Sequence, residues 1–491
     1  MAKITHTEIR MYRMGTGDCF VLKFYAGKKL SFKMMIDCGT WQGTQEYLAP
    51  FMEDLKAYVN NHLDLLVITH EHKDHVHLFD ICKDQLTQEF AVDKTWMAWT
   101  ENDKIKKVKD WQIEYGNKKK AMALAADRLQ AAINDPLYKN SLLGESHGLA
   151  ISDSRQSFAN VISDFSALQL DKDAMGIYTG GLAGMKIVKE TISKGHIEYY
   201  KPGDIIDNLA GLTGIKFYVL GPPEKWEEVK VETGGKGESY DHNKELVESD
   251  AFAAAVNAMG SGNLEMALPF DRIYEKSSSP ADPAYATYSH ALNSWRKIDN
   301  DWLNSAGTLA LRINSITNNL SLVLAIEFED SGRVMLFPGD AEYGSWASWH
   351  KINWTAKSRN PKVSLTVDLL NRTVFYKVAH HLSHHGTAER LGMEMMTNPD
   401  LSAMATLDYS VISTNWKNTM PNHTLLKALV AQTKGRFMVM NSNDLYYDTG
   451  NTEKLADKIE NERKKMTQKE AKEFNAVYKE NKFYLQYTVK G

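Results

Sequence analysis

The stretch from Thr69 to Val76 reads THEHKDHV and sets His70, His72, Asp74 and His75 within six residues, directly after the apolar run Leu65-Leu66-Val67-Ile68. Three imidazoles and a carboxylate at this spacing form a metal-ligand cluster, which points to a metal-dependent hydrolase. Side chains of an extended loop repeat every two residues, so His70 and His72 share one side. A helical turn after them swings Asp74 and His75 to the other, and one short loop can thereby serve two neighbouring ions. A polar surface loop would account for an isolated His-x-His pair but is a poor account of HxHxDH placed behind a buried strand.

Ligands need rigid supports, and four apolar segments end in a residue able to bind or orient a metal: LSFKMMI at Asp37, LLVIT at His70, VMLFPG at Asp340 and VFYKVA at His380-His381. Around them EIRMYRM, CFVLKFYA and LSFKMMID read as strands, TQEYLAPFMEDLKAYVNN as a polar helix and DLLVIT as another strand. Later strands are GIKFYVLGPPE, LALRINS, SLVLAIEF, RVMLFPGD, TVFYKVAHH, YSVISTN, RFMVMN and KFYLQYTV, with PNHTLLKALVAQTK and TEKLADKIENERKKMTQKEAKEF as helices. Neither strand-rich block completes the ligand set alone, so residues 1–491 read as a single domain. Residues 85–200 form a largely helical insertion in this reading, 225–300 a second insertion, and 450–491 a charged helix with a terminal strand.

The 491 residues carry 58 Lys+Arg against 62 Asp+Glu, so no global field draws the chain to nucleic acid or an anionic membrane, and any polyanion binding must come from a local patch. A hydrophobic content of 43% is ample for a core. The start, MAKITHTEIRMYRM, lacks the apolar core of a signal peptide, and no apolar stretch approaches the ~18 residues of a membrane span. The expectation is a soluble, cytoplasmic protein with no membrane partner; the oligomeric state is left open. Cys19, Cys38 and Cys82 are too few and scattered for a disulfide framework; they read as small buried thiols, with a ligand role for Cys38 or Cys82 as the alternative.

These motifs resemble the signature of the metallo-β-lactamase superfamily, whose members are mostly zinc-dependent hydrolases built on an α/β fold, a four-layered αββα sandwich. The run Lys377-Val378-Ala379-His380-His381 resembles the HHGS segment of the ComEC-type branch, with Leu382 where that branch has Gly. Met14-Gly15-Thr16-Gly17-Asp18-Cys19 resembles its VGQGD turn, and Tyr218-Val219-Leu220-Gly221-Pro222-Pro223 its LHPP strand end, with Gly221 where many relatives have His. The resemblance implies metal ligation by His70, His72, Asp74, His75, Asp340 and His381, with Asp340 bridging two ions and Asp37 holding the HxHxDH loop in shape. His380 would touch substrate or support the ligands from behind. An alternative register uses His384-His385-Gly386-Thr387. His423, in MPNHTLLKAL, is either a substrate contact or a helix-capping residue. Lys104, Lys106, Lys107, Lys109 and Lys118 to Lys120, interleaved with Trp111 and Tyr115, are either a basic aromatic groove for single-stranded nucleic acid or a solvated helix face.

The expected chemistry is hydrolysis by a metal-bound hydroxide oriented by Asp74, in which His380 is the second catalytic candidate. Zinc is the first choice for this N/O set, one or two ions, with manganese or iron as alternatives. The branch implies a phosphodiester substrate, nucleic acid or a smaller diester. The alternatives are a carbonyl-ester hydrolase of lactonase or thioesterase type, or a metal-binding interaction module without turnover.

Overall fold

The computed structural model describes residues 2–41, 43–113, 115, 181–231, 233–235, 238, 283–290, 314–412, 417 and 420–491. Its strands begin with β1 (His6–Tyr12), β2 (Phe20–Ala26), β3 (Lys29–Ile36), β4 (His62–Leu63), β5 (Leu65–Val67), β6 (Ala91–Val92), β7 (Thr95–Ala98) and β8 (Ile197–Tyr200). They continue with β9 (Ile205–Ile206), β10 (Ile215–Gly221), β11 (Val323–Phe328), β12 (Val334–Phe337), β13 (Thr373–Lys377), β14 (Ser402–Ala405), β15 (Phe437–Val439), β16 (Tyr478–Glu480) and β17 (Tyr484–Lys490). One mixed sheet runs β16-β17-β1-β2-β3-β5-β7-β8 and a second runs β15-β14-β13-β12-β11-β10-β9, while β4 and β6 pair as a short ribbon.

Alternation along the strands decides how the sheets stack. In β10, Phe217 and Val219 pack with Phe20, Leu22, Val67 and Trp96 of the first sheet, whereas Tyr218 and Leu220 join Trp346, Trp349, Leu369 and Leu429 on the opposite side. In the first sheet Val21, Met35, Leu66 and Met97 turn to Leu48, Met52 and Leu55 of α1 (Gln45–Val59) and to Val76 and Phe79 of α2 (Lys73–Ile81). The protein is mixed α/β: two sheets face each other across one apolar layer, and each carries helices on its outer face. A fully buried Leu or Phe contributes roughly 1.5–3 kcal/mol, so these layers offset the cost of the polar residues described below.

β3, β5 and β7 run parallel, as do β12, β13, β14 and β15. Carboxyl ends of parallel strands are where open α/β sheets place their ligands. Asp37, His70, Asp340, His380-His381 and Thr406 each follow such an end.

Three sequence expectations change. YSVISTN is not a strand at its described residues, which form turns at Tyr409 to Ile412; the strand lies earlier, at β14. LALRINS falls outside the described residues except Asn314 and Ser315, which open a helical stretch at 314–319. The single charged helix is two, Leu455–Arg463 and Gln468–Val477, because Thr467 caps the second through a reciprocal box with Glu470. Within 85–200, β7 and β8 are strands of the first sheet, and residues 116–180, including Lys118 to Lys120, lie outside the described part. Of the 225–300 insertion, 239–282 and 291–300 lie outside it too. Among the described residues no helix is long and apolar enough to cross a membrane.

Candidate metal centre

The HxHxDH loop is fixed by backbone contacts that only glycines permit. A Cβ on Gly39 would lie 2.2 to 2.3 Å from the Asp74 carbonyl and the His75 nitrogen, and one on Gly17 (φ 142°) 2.7 Å from the Asp74 oxygen. This closeness lets Asp18 N donate to Asp74 O at 2.9 Å and Cys38 N to His75 O at 2.8 Å. The glycines of MGTGDC and DCGT thus clamp the first turn of α2, where Asp74 and His75 sit.

Asp37, left-handed at φ 56°, accepts from Thr69 N (2.7 Å) and Thr69 Oγ1 (2.6 Å), and its Oδ2 lies 2.7 Å from His75 Nδ1. Burial raises its carboxyl above the ordinary range, opposed by the His75 imidazole. With Nδ1–H donated to Asp37, a neutral His75 presents its Nε2 lone pair forward. That Nε2 lies 3.1 Å from Asp340 Oδ2, as does His381 Nε2, and His381 Nε2 is 2.9 Å from Asp74 Oδ2. Thr406 Oγ1 donates to Asp18 Oδ1 at 2.7 Å and lies 2.8 Å from His381 Nδ1. Its hydrogen being spent on Asp18, Thr406 can only accept, which gives a neutral His381 the same tautomer as His75.

Asp74, His75, Asp340 and His381 are buried, and one ligand atom from each lies within 4.8 Å of the others. Asp74 Oδ1, His75 Nε2 and Asp340 Oδ2 are buried without an aligned hydrogen bond. Lone pairs converging without hydrogen-bond partners are what a divalent ion would satisfy, so the donor set fits a metal.

His381 is presented by a turn in which His380 (φ 48°), His381 (φ 50°) and Leu382 (φ 68°) are all left-handed. Such residues cost roughly 1–3 kcal/mol each and persist only where the surroundings hold them. Gly386 helps: a Cβ there would lie 2.6 Å from Ala379 O and His380 Cβ. The segment His384 to Thr387 therefore packs against the turn, and His384 and His385 contact each other edge to face at 4.1 Å, while His381 takes the place in the ligand group.

The other expected residues lie beside this group. His70 Nε2 is 3.0 Å from His72 Nδ1, and His70 Nδ1 is 3.2 Å from Ser321 Oγ; the His70 ring lies 4.1 Å from that of His75, so the pair borders the four candidate ligands without being one of them. His380 gives its backbone N–H to Asp340 Oδ1 at 3.2 Å, but its ring turns to Glu342 (Nδ1 to Oε1, 3.3 Å) and Asn318 (3.3 Å). Glu342 also accepts from Asn318 Nδ2 (2.7 Å) and Ser315 Oγ. Burial would raise the Glu342 carboxyl, yet His380 and the other donors hold it down at about 2. His423 opens the helix His423–Thr433 behind the cap Asn422, with Nδ1 3.4 Å from Tyr447 O. Trp111 stacks between Tyr115 (4.7 Å) and Trp226 (4.3 Å), so these rings largely cover one another. The cysteines are all buried and free.

Sequence reasoning missed Lys377 and Asp18. Lys377 is buried, with Nζ 3.0 Å from Asp340 Oδ1 and 2.8 Å from Gly339 O, and it pairs with Asp18 Oδ2. Burial would lower its pKa, but the two carboxylates reverse this and keep it raised. The signals were present, an acid in a Gly-rich turn and a Lys inside an apolar strand. No family model matches the chain, and no curated protein or solved structure matches it.

Protonation gives a test of the centre. Burial lowers the pKa of His381, but Asp340 and Asp74 outweigh it and raise it from 6.5 to about 9; His75 is raised well above its ordinary value by Asp340, Asp37 and Asp74 in the same way. Asp74, opposed by burial but drawn down by His75 and His381, falls from 3.8 to about 2. The His381 contribution to stability is complete below 6.5 and fades as pH rises through about 9, while that of Asp74 is present above 3.8 and fades as pH falls through about 2. Metal-free protein is therefore expected to lose stability in urea between pH 6.5 and 9. Zinc replaces those protons and should suppress the loss; an identical alkaline loss with and without zinc would count against ligation at these histidines.

Proposed function

We propose that the protein is a metal-dependent hydrolase of the metallo-β-lactamase superfamily, ComEC-type branch, acting on phosphodiesters. The observation that carries the reading is the convergence of Asp74 and His75, on the helix that follows β5 of one sheet, with Asp340 and His381, beyond the ends of β12 and β13 of the other, buried and within 4.8 Å. The order helix, sheet, sheet, helix agrees with the αββα sandwich of that superfamily. A divalent transition metal held by these four residues would supply Lewis-acid activation of water and of the scissile ester, zinc being the first choice and manganese or iron alternatives.

The chain's own groups do the rest. Asp37 and Thr406 fix the imidazoles of His75 and His381 in the ligating tautomer, so no reorganisation is needed when charge develops. Asp74 Oδ1, the free oxygen of that carboxylate, can orient or accept a proton from the attacking water. Strain in the His380–Leu382 turn is the kind of feature that a rigid surround keeps at functional sites. The diester preference comes from the resemblance of KVAHH and FPGD to the ComEC-type branch.

Bis-p-nitrophenyl phosphate, p-nitrophenyl phosphate, a lactone and a thioester, offered to protein loaded with zinc, manganese or iron, should separate the classes. The diester is expected to turn over and the monoester poorly, because the dianion is held more firmly in the ground state. Turnover of lactone or thioester with no diesterase activity in any metal form would transfer the assignment to carbonyl hydrolysis. Less than about half an equivalent of metal after reconstitution would remove the metal from the reading altogether.

A further inference from the structure

The two oxygens of Asp340 face different partners. Oδ2 lies 3.1 Å from both His75 Nε2 and His381 Nε2, inside the four-ligand group. Oδ1 lies 3.0 Å from Lys377 Nζ and accepts from His380 N. The ammonium reaches across to Asp18 as well, so two buried carboxylates share one fixed positive charge. A second metal ion would be called on to neutralise the same oxygens.

A second coordination sphere would have to draw on His70 and His72, which face each other beside the group. His70 Nε2 and His72 Nδ1 meet at 3.0 Å, and neither histidine belongs to the four-ligand group. A third ligand at position 221 has no room: a Cβ on Gly221 would lie 2.8 Å from Val323 Cγ2 and 3.0 Å from Ser345 Oγ.

We propose that the centre is built for one divalent ion, held by Asp74, His75, Asp340 and His381, and that the Lys377 ammonium is the second cation of the site. The inference rests on the metal-hydrolase reading and deepens it. Lys377 is then a positioning residue: it holds Asp340 through Oδ1 so that Oδ2 alone is offered to the ion, and it ties that strand end to the Asp18 turn that supports Thr406 and His381. The consequence is a site in which one positive charge is permanent and the other exchangeable.

The test is metal stoichiometry. Full-length protein, stripped with a chelator, is dialysed to equilibrium against zinc and, separately, manganese, and metal per chain is measured by elemental analysis. Wild type is expected to saturate at one equivalent. Two equivalents overturn the inference and leave the metal-hydrolase reading standing, whereas no binding overturns both. Lys377→Ala, with both carboxylates kept and the cation gone, is expected to take up a second equivalent of manganese; remaining at one overturns the role given to the lysine. Should Lys377→Ala fail to fold, His70→Gln decides: it is expected to retain the full equivalent, His381→Gln to lose it, and loss in His70→Gln overturns the inference.

Discussion

Asp340→Ala is expected to abolish hydrolysis and strip the centre of metal, with turnover falling by roughly 10³-fold or more. The estimate follows from several kcal/mol of transition-state charge stabilisation supplied by a bound ion, at 1.36 kcal/mol per decade of rate. The substitution deletes the oxygen facing His75 and His381 and at the same time leaves Lys377 with Asp18 as its remaining carboxylate partner. Asp340→Asn separates these effects, because the amide keeps the shape and can still accept from His380 N but carries no charge. Lys28→Ala, at the exposed tip between β2 and β3, serves as the control and should leave turnover unchanged. Metal content by elemental analysis and initial rates on bis-p-nitrophenyl phosphate check the result; equal losses in Asp340→Ala and Lys28→Ala would mean that the site is misplaced.

The largest effect on stability is expected at Asp37, which stands outside the group of Asp74, His75, Asp340 and His381 and contacts it through His75 Nδ1. Asp37→Ala leaves Thr69 N and His75 Nδ1 without their acceptor in a fully buried place. Removing one member of a buried, hydrogen-bonded ionic pair costs roughly 3–5 kcal/mol, and support groups behind metal ligands are worth about 10–100-fold in metal affinity. Urea titration should show the midpoint falling with an unchanged slope, and zinc competition with a chromophoric chelator should show the weakened affinity. A variant with wild-type stability would mean that Thr69 and His75 find other partners and that Asp37 does not organise the loop.

That Asp74, His75, Asp340 and His381 come together is legible because the parts of the group obey local rules. Apolar runs of strand length ended in His or Asp at four places, and parallel strands bring such ends to one edge. The failures were tertiary. Val411-Ile412 in YSVISTN carries the β-branched look of a strand, yet the strand is Ser402–Ala405, whose small residues fit because Met404 packs between the sheets while Ala403 and Ala405 pack on the outer side. Lys377 was passed over because lysine is almost never fully buried without a partner, and that partner, Asp18, lies far away in sequence. Spacing alone puts His70 and His72 on one side; that their rings meet each other depends on the fold of the whole loop.

β17 pairs with β1 along its whole length, from His6 opposite Lys490 to Tyr12 opposite Tyr484. On a ribosome adding roughly 5–20 residues per second, the first strand waits on the order of a minute for its neighbour. Throughout that interval its far edge is open to any other extended chain, and the 70–75 loop is already outside while Asp340 and His381 are still to come. The nascent protein thus holds half of the candidate site and an unsealed sheet together, which makes early synthesis the stage at which chaperone protection would matter most.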